Sequence, residues 1–586
     1  MKKIAIVVFA IVMVMYQGAF ALTYYLDAVK GSDTTGDGSS VRPWKSLAKS
    51  QRMVHTGENT IILRTGNYGR YYEDSHTGEI SDGTRFGSAW ENQIARNSWI
   101  TYKADLGAVA VITSIDIIGQ TTKYFNSYLR FTGIKVTGPV RPRFIKYWQF
   151  VGNTVDMSDP FERTNVIEIT ADFITFENNT ITNCWIAADL HAVTGTVINN
   201  TMSNLGSYGI QLEGGSKNLV VERNNIFSIK NKYFDFIEFN ANDGWISTNN
   251  LSADNIEGVQ LTTGRSVISY KNVNCNFSHI LEMAYTLESS AALAAGALKV
   301  RFSTQSNVGT GGVYYDVPLP AIPANDLTHG FVRTLPDKFP GIDKIICKSV
   351  AFVCDTPSVI QINQLRISDG IHTGIVGLWG TISNVKITRN IMHGVESQGL
   401  FLSRAGTYTG ITFENNLLYD AGSNIVNIEE FDGSLMFRSN TIIGSYRYDC
   451  APEEENYTSY CQIEFAPGYN GSGVKIYSNI IVGGLSIKQA GGALISKAWR
   501  EDYNLVQSAP VFKGAHTIAL DGTDKSFRAD CFVYPDFTRW TTASVDYHLK
   551  AGSLAINKVY VTYSSAIDLD GLPRDSLPDN GCYEKR

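Results

Sequence analysis

Acidic, amide and imidazole side chains recur at matching positions in six short segments of alternating polarity. Successive side chains of a β-strand point to opposite faces, so the apolar members of each segment fill a core and the polar members face outward. The alternation therefore predicts one polar face built from several strands. The segments begin at Ile167, Ala188, Ile210, Ile237, Val259 and Leu281.

If these strands stack as successive coils about 4.8 Å apart, their outward side chains form two parallel rows. A solvated β-face explains polar side chains here, but such a face usually carries lysine and arginine, and these rows carry neither. Stacked carboxylates repel one another, which is more easily tolerated where a site needs them. The first row is Glu168, Asp189, Gln211, Glu238, Gln260 and Glu282, and the second is Thr170, His191, Glu213, Asn240, Thr262 and Ala284.

Paired carboxylates hydrolyse glycosidic bonds, one as acid and the other as base or nucleophile, when they lie roughly 5 to 9.5 Å apart. Neighbouring coils bring Glu213 near Glu238, and Asp189 near Glu213, so these three are the predicted catalytic residues. A lone histidine on a strand face is also compatible with an ordinary surface role. The residues predicted to bind sugar beside the carboxylates are His191, Asn240 and Gln211.

Later segments add two aromatic side chains and an arginine. The alternation in Val376-Gly377-Leu378-Trp379 and Leu400-Phe401-Leu402-Ser403 points Trp379 and Phe401 outward, where aromatic rings suit stacking on sugars. Packing against an inserted domain is the alternative for both rings. Arg404 follows its strand at a turn and is predicted to bind substrate. A lyase would use such a residue, although arginine is also common in turns.

The sequence predicts no metal site. No Cys/His cluster has the spacing of a zinc site. Asp27, Asp33 and Asp37 resemble a calcium loop only loosely, because their spacing misses the EF-hand frame, and a turn network is expected instead. Calcium is the cofactor expected if the protein is a lyase of an acidic polymer.

A second repeat indicates how the strands are arranged. An asparagine follows a short strand pattern every 21 to 26 residues, apart from one spacing of 118 residues and one of 39, and this is a solenoid period. Asparagine tolerates left-handed turns, and stacked amides bond along a ladder. The pattern predicts an all-β chain folded as a parallel β-helix, since separate antiparallel domains would not keep this period. The asparagines are Asn153, Asn179, Asn200, Asn224, Asn249, Asn272, Asn390, Asn416, Asn440 and Asn479.

One long gap in the repeat predicts an insertion. The 118 residues from Asn272 to Asn390 far exceed one coil and contain alternating strands without the asparagine. We expect a β-sandwich-like domain over 286–370, between a first β-helix part (100–285) and a second (371–504). Because an open β-helix end exposes unpaired strand edges, 22–99 should cap one end, with a short amphipathic element over 43–55, and 505–586 should close the other.

Composition and the first residues bound the class of protein. The 586 residues carry a net charge of −6, which excludes a basic nucleic-acid binder, and 44% of them are hydrophobic, which excludes a disordered chain. Residues 1–21 combine two lysines, an apolar run and Ala19-Phe20-Ala21, the pattern of a signal peptide. A secreted, periplasmic or cell-surface protein is expected, and its disulfide candidates are Cys450 with Cys461 and Cys347 with Cys354.

Both ends of the mature chain carry a further pattern. Thr23-Tyr24-Tyr25-Leu26-Asp27 precedes Pro43-Trp44-Lys45-Ser46-Leu47, and Tyr547-His548-Leu549-Lys550-Ala551-Gly552 precedes Asp568-Leu569-Asp570-Gly571. These segments resemble the entry and closing segments of secreted right-handed parallel β-helix proteins of the pectate-lyase-like superfamily. The resemblance implies a right-handed β-helix. It does not choose among lyases, glycoside hydrolases and non-catalytic members, and the Asp-Asp-Gly-Ile-Asp cluster of calcium-dependent members is absent.

The leading hypothesis for the function is a secreted carbohydrate-active protein that cleaves a polysaccharide in a carboxylate-lined groove of the β-helix. The alternatives are a calcium-assisted lyase of an acidic polymer and a non-catalytic glycan-binding or adhesin β-helix. The expected partner is a polysaccharide, with no nucleic acid, no membrane after signal cleavage, and a monomeric chain.

Overall fold

The structure is a computed structural model of the chain. Among the residues that it describes, no helix is long and apolar enough to cross a membrane. The predicted signal peptide lies outside them, apart from Ala21. The described residues are 21–55, 57–86, 96–121, 124–160, 162–229, 233–235, 245–247, 259–262, 265–276, 282–305, 313–325, 327–333, 346–354, 356, 359–368, 373–395, 398–403, 406–421, 426–428, 431–443, 463–465, 473–482, 487–489, 500–507, 514–520, 527, 530–534 and 546–585.

The chain divides into two compact units. The first comprises 1–229, 373–445 and 460–586, and the second comprises 230–372 and 446–459. Within its described residues, the first unit contains a sheet of 34 strands in which all pairings are parallel except β4 (Arg70–Asp74) with β5 (Glu79–Ile80). The prediction of an all-β parallel β-helix is therefore confirmed.

The described residues of the N-terminal part of the β-helix form eighteen strands and one helix. Helix α1 (Leu47–Met53) begins after Ser46, whose side chain accepts the backbone N–H of Lys49, and it buries Leu47. The strands are β1 (Thr23–Leu26), β2 (Asn59–Leu63), β3 (Gly66–Asn67), β4 (Arg70–Asp74), β5 (Glu79–Ile80), β6 (Ile100–Ala104), β7 (Ala110–Ile112), β8 (Ser114–Ile118), β9 (Phe125–Thr132), β10 (Lys135–Val136), β11 (Val140–Val151), β12 (Thr154–Asp156), β13 (Val166–Glu177), β14 (Thr180–His191), β15 (Gly195–Ile198), β16 (Thr201–Glu213), β17 (Lys217–Glu222) and β18 (Asn225–Ile229).

The second part continues the same stack after the inserted unit. Its strands are β29 (Gly374–Leu378), β30 (Thr381–Thr388), β31 (Ile391–Val395), β32 (Gln398–Leu402), β33 (Gly406–Glu414), β34 (Leu417–Ala421), β35 (Val426–Ile428), β36 (Phe431–Arg438), β37 (Thr441–Ile443), β38 (Ile463–Phe465), β39 (Gly473–Tyr477), β40 (Ile480–Val482), β41 (Ile487–Gln489), β42 (Arg500–Asp502), β43 (Leu505–Val506) and β44 (Ile518–Ala519). The closing segment contains β45 (Phe532–Tyr534), β46 (Asp546–Leu549) and the 3-10 helix Val561–Tyr563.

The inward side chains of the coils form one continuous core, in which Ile169, Leu190 and Leu212 follow one another on successive coils. The alternation seen in the sequence has this cause, because every second residue of a strand enters the core. Aromatic rings stack inside it as well, with the Phe150 and Phe176 centroids 5.7 Å apart. The core and the strand register together fix which side chains face outward.

In the part of the chain that the structure describes, nine buried asparagines form a ladder along the β-helix. The Oδ1 atom of each asparagine after the first accepts the backbone N–H of the preceding ladder asparagine, at 2.8–3.0 Å. Each Nδ2 donates to a backbone carbonyl of the preceding coil. The ladder is Asn153, Asn179, Asn200, Asn224, Asn390, Asn416, Asn440, Asn479 and Asn504.

The ladder asparagines are not themselves the left-handed residues of these turns. The positive φ belongs to the residue before each one, as at Asn178 (56°), Arg223 (54°) and Tyr503 (57°). The recurring asparagine therefore reflects its amide, which bonds along the stack, more than its tolerance of left-handed backbone.

The inserted unit begins earlier than predicted. Asn224 bonds directly to Asn390, and Ile210 is the register partner of Val376, so the coil after β16 is built from β29. The expected boundary at 286 is wrong, since this unit starts at Lys230. Asn249 and Asn272 continued the period by coincidence, because the strands beside them belong to antiparallel sheets.

The described strands of the inserted unit form two five-stranded sheets whose pairings are antiparallel. Its strands are β19 (Tyr233–Asp235), β20 (Trp245–Ser247), β21 (Val259–Thr262), β22 (Arg265–Asn276), β23 (Glu282–Ser289), β24 (Leu298–Ser303), β25 (Tyr314–Pro318), β26 (Leu327–Arg333), β27 (Ile346–Cys354) and β28 (Val359–Ser368).

The predicted pairing of Cys347 with Cys354 is wrong. Both are free and buried, and they occupy opposite ends of the same extended strand, β27, which separates them by roughly 20 Å or more. The bend on which the pairing depended does not exist. Cys450 and Cys461 lie outside the described residues.

Candidate functional site

Strand register shows which of the predicted rows exist. Glu168 pairs with Asp189, and Asp189 pairs with Gln211, so the first row is correct over these coils. The next member is Gly377 rather than Glu238, and Phe401 follows it. The second row holds Thr170, His191 and Glu213 side by side in the same way.

The predicted pairing of Glu213 with Glu238 on consecutive coils is wrong. Residues 373–380 supply the coil next to Glu213, whereas Glu238 and Asn240 fall in the inserted unit and outside the described residues. Alternating polarity is shared by parallel and antiparallel strands, so it could not show that Ile237-Glu238-Phe239-Asn240 leaves the stack. The pair Asp189 and Glu213 remains on adjacent coils.

Two arginines that were not among the predicted site residues lie in the same rows. Arg141 precedes Glu168 in the first row, and Arg143 pairs with Thr170 in the second. The Nε atom of Arg141 lies 3.9 Å from Oε2 of Glu168, and the guanidinium also donates to the Thr164 carbonyl at 2.8 Å. Val140-Arg141-Pro142-Arg143 has the same alternation as the later segments, and this was the signal available in the sequence.

His191 is the centre of the acidic cluster. Its Nε2 lies 3.1 Å from Oδ1 of Asp189, and the two side chains are 37% and 15% exposed. The Asp189 carboxylate, as acceptor for the His191 ring N–H, raises the pKa of His191 above its usual 6.5, burial opposes this, and the charges of Asp189, Glu213 and Glu168 add to the increase. We call Glu168, Asp189, His191, Gln211 and Glu213 the acidic face.

A second hydrogen bond orients the other candidate carboxylate. Gln211 Nε2 donates to Oε1 of Glu213 at 2.5 Å. Strand β16 positions both side chains, because Leu212 between them is fully buried in the core. Glu213 therefore lies beside His191 in register, and diagonally across from Asp189.

The two aromatic side chains predicted to bind sugar differ from each other. Phe401 occupies an outward position in register with Gly377, but it is only 4% exposed, so the expectation of an exposed ring is wrong for it and the alternative of packing applies. Trp379 is partly exposed and contacts Phe401, with ring centroids 5.2 Å apart at a tilt of 55°. Tyr208 also packs in this region. Its ring lies over Gly377, where an added Cβ would be 2.8 Å from the tyrosine ring. Arg404 lies outside the described residues.

No group of three or more His, Cys, Asp or Glu within the described part of the chain is placed to hold a metal ion. The aspartates of the N-terminal loop are instead acceptors for turns. Asp27 accepts the N–H groups of Val29 and Lys30, and Asp33 accepts those of Lys45 and Ser46. This is the turn network that the sequence predicts.

The fold and the acidic face define the protein as a parallel β-helix with a carboxylate–imidazole cluster on one outer strand face. No protein-family model matches the sequence, and no curated protein matches it. Similar solved structures include pectate lyase Pel9A, with 11% identity, a TM-score of 0.36 and 96% of each chain covered. XylC in complex with xylose has 8% identity and a TM-score of 0.41, covering 96% of this chain and 98% of that one.

A third similar structure is the A-module of the mannuronan C-5 epimerase AlgE6 from Azotobacter vinelandii. It has 9% identity and a TM-score of 0.31, and the match covers 79% of this chain and 87% of that one. The resemblance to parallel β-helix proteins inferred from the chain ends is confirmed for the fold. The chemistry of the site has to be argued from the chain's own residues.

Proposed function

We propose that the protein is a secreted, monomeric enzyme that hydrolyses a polysaccharide at the acidic face. The observation that carries this proposal is the cluster of Asp189, His191 and Glu213 on two adjacent coils, in which two carboxylates flank one imidazole. Such a pair supplies the acid and the base that glycoside hydrolysis needs. The imidazolium offsets part of the repulsion between the carboxylates, which explains how they are kept close together.

The roles follow from the positions. Asp189, beside the imidazolium, takes a proton from water as the water oxygen attacks the anomeric carbon. Glu213 gives its proton to the glycosidic oxygen as the carbon–oxygen bond breaks. One proton enters the protein and another leaves it, so the reaction consumes one water and yields two shorter sugars. Gln211 holds the Glu213 carboxylate in place through its 2.5 Å hydrogen bond.

The spacing predicts the stereochemistry. Asp189 and Glu213 are one coil and two residues apart, which places their α-carbons roughly 8 Å from each other. Carboxyl groups about 6.5 to 9.5 Å apart leave room for a water and give inversion at the anomeric carbon, and side chains that extend side by side from these two positions would have that separation. The α-carbons of Glu168 and Asp189 are only about 4.8 Å apart, so this pair is closer, as in retaining enzymes, whose carboxyl groups are about 5 to 5.5 Å apart. Proton NMR of the first product distinguishes the two, and inversion is expected.

Replacing either proposed catalytic carboxylate should abolish most of the activity. Glu213→Gln and Asp189→Asn keep size but remove proton transfer, so turnover should fall by about two orders of magnitude or more. Release of reducing ends from a panel of polysaccharides measures this. Glu177 is the last residue of β13, nine residues after Glu168. Glu177→Gln is therefore the matched control and should leave turnover unchanged. Full activity in both site variants would contradict the proposed mechanism.

Lyase action is the second candidate, and the two row arginines favour it. Arg141 and Arg143 lie on the coil before Glu168 and Thr170, where they could neutralise a uronate carboxylate. Elimination produces an unsaturated sugar that absorbs ultraviolet light, whereas hydrolysis does not. A calcium-dependent increase in ultraviolet absorbance with polygalacturonate or alginate as substrate would therefore show that the protein is a lyase and contradict the proposed hydrolysis. Binding without any cleavage would favour the non-catalytic glycan-binding alternative.

A further inference from the structure

At one turn position of the β-helix the backbone is left-handed on many coils, and two types of residue occupy it: asparagine or glycine on some coils and aromatic residues on others. The position lies inside the long strands, immediately before a set of residues that are in register with one another from coil to coil: Leu129, Trp148, Ile174, Leu219, Val385 and Ile411. On the later coils the residue is Asn218 (φ 50°), Asn384 (φ 53°) or Gly410 (φ 67°). On three consecutive early coils it is Tyr128 (φ 44°), Tyr147 (φ 61°) or Phe173 (φ 58°).

An aromatic residue at this turn is less favourable for the backbone than asparagine or glycine. Asparagine and glycine adopt the left-handed region readily, whereas bulky side chains are strained there. Three strained aromatics in succession therefore need a compensating role, and residues held in such conformations cluster at ligand-binding sites. Folding alone does not require them, because Asn218 and Asn384 make the same turn in the same β-helix.

The three rings form an external stack. The Tyr128 and Tyr147 centroids are 4.2 Å apart at 14°, and those of Tyr147 and Phe173 are 5.0 Å apart at 8°. The stack ends at Phe173, because the next coil has Thr194 at this position, where its Oγ1 accepts the Phe173 N–H at 2.9 Å. Phe173 is 53% exposed, and within the described residues no further ring stacks on its outer side.

Polar groups border the stack. Lys146 and Asp172 each precede one of the rings and are register partners of each other, and Thr194 donates to Asp172 at 3.5 Å. A flat apolar ring edged by hydrogen-bonding groups matches a pyranose, which has an apolar face and a rim of hydroxyls. One open ring is far smaller than the roughly 800 Å² per partner of a protein interface. The carboxylate beside it disfavours a nucleic-acid phosphate.

We propose that the Tyr128–Tyr147–Phe173 stack is a glycan-binding platform on which a neutral sugar ring lies against the outer side of Phe173. Thr194 is three residues beyond His191, so this sugar would lie at the turn of the coil that carries Asp189 and His191. The platform is then a subsite for the same polysaccharide chain, and in this respect the inference rests on the proposed function. Binding itself does not depend on cleavage.

Phe173→Asn tests the platform with little risk to the fold, because asparagine occupies the same turn on two other coils. Affinity gel electrophoresis with three neutral polysaccharides, xylan, mannan and β-glucan, measures binding. Loss of one aromatic contact should weaken binding of the best-retained polysaccharide roughly three- to tenfold. Phe173→Trp keeps an aromatic ring and should bind the same polysaccharide at least as tightly as the unchanged protein. Tyr560→Asn is the matched control, since it removes another exposed ring, 59% exposed, far along the chain.

The outcomes separate the platform from the catalytic proposal. Equal binding by Phe173→Asn and the unchanged protein, or no binding to any of the three polysaccharides, overturns the platform. Weaker binding by Phe173→Asn in a protein that cleaves nothing supports the platform and contradicts the proposed hydrolysis. Weaker binding by Tyr560→Asn as well would overturn it, because the effect would then belong to exposed rings in general. Repeating the assay in Glu213→Gln keeps cleavage out of the measurement.

Discussion

At the scale of single residues, the acidic face is organised around one imidazole. His191 contacts Asp189 and has Glu213 and Glu168 as its neighbouring charges, so its charged form is favoured despite partial burial. A raised pKa means that the favourable pairing is fully present below the ordinary pKa and is lost as the pH rises through the folded value. Any catalytic step that needs the imidazolium should fail on the alkaline side.

The pKa of His191 should lie above its usual 6.5, with Asp189 as the main cause. NMR spectra of ring-labelled histidine, assigned with His191→Gln, give the midpoint. Asp189→Asn should lower it more than Glu213→Gln does, because the Asp189 hydrogen bond is the largest contribution. Glu177→Gln should leave it in place. A midpoint that Asp189→Asn does not move would remove Asp189 from this role.

At the scale of elements, the asparagine ladder joins the coils more directly than any side-chain contact of the core. Asn224 accepts the backbone N–H and the side-chain amide of Asn200 at 3.0 and 2.9 Å. It also donates to the Val197 carbonyl at 2.9 Å and to Asn390 at 3.0 Å. Because all of these groups are buried, removing the amide leaves donors and acceptors without water to replace it.

Asn224→Ala should therefore destabilise the β-helix strongly. Each buried group left unpaired costs about 1–3 kcal/mol, so the free energy of unfolding should fall by at least about 3 kcal/mol. Urea unfolding followed by circular dichroism measures the change. Asn97→Ala, at an exposed position, is the control and should change the stability by less than about 0.5 kcal/mol. Equal stability of the two variants would show that the ladder is dispensable at this rung.

At the scale of the whole chain, the sequence predicts the repeating coils of the β-helix but not the start of the unit inserted between them. The period placed the coils up to Asn224 and from Asn390 onward, and it placed Asp189 and Glu213 on neighbouring coils. It could not locate the start of the inserted unit, because antiparallel strands share the period-two alternation. The aromatic stack was also missed, since a left-handed turn at Phe173 has no signature in residue type.

The inserted unit replaces one ordinary connection of the β-helix. Ile229 at the end of β18 is the register partner of Val395, and Gly374 at the start of β29 is the partner of Gln398. In the coil that follows, only two residues join Val395 to Gln398. The ladder crosses the same point without a break, through Asn224 and Asn390. The stack of coils is therefore continuous in its own strands and hydrogen bonds.

We predict that the β-helix folds without residues 230–372. Joining Ile229 to Thr373 through one glycine reproduces the two-residue connection of the next coil, and short connections cost less closure entropy than long ones. The shortened chain should keep a β-sheet circular dichroism spectrum and unfold in a single urea transition. A matched control joins Ile229 directly to Thr381, which also removes β29 and leaves that coil without the strand that pairs with β16, so it should not form a continuous stack. If only the complete chain folded, the inserted unit would be required for the β-helix to form, and the continuity of the ladder across it would not suffice.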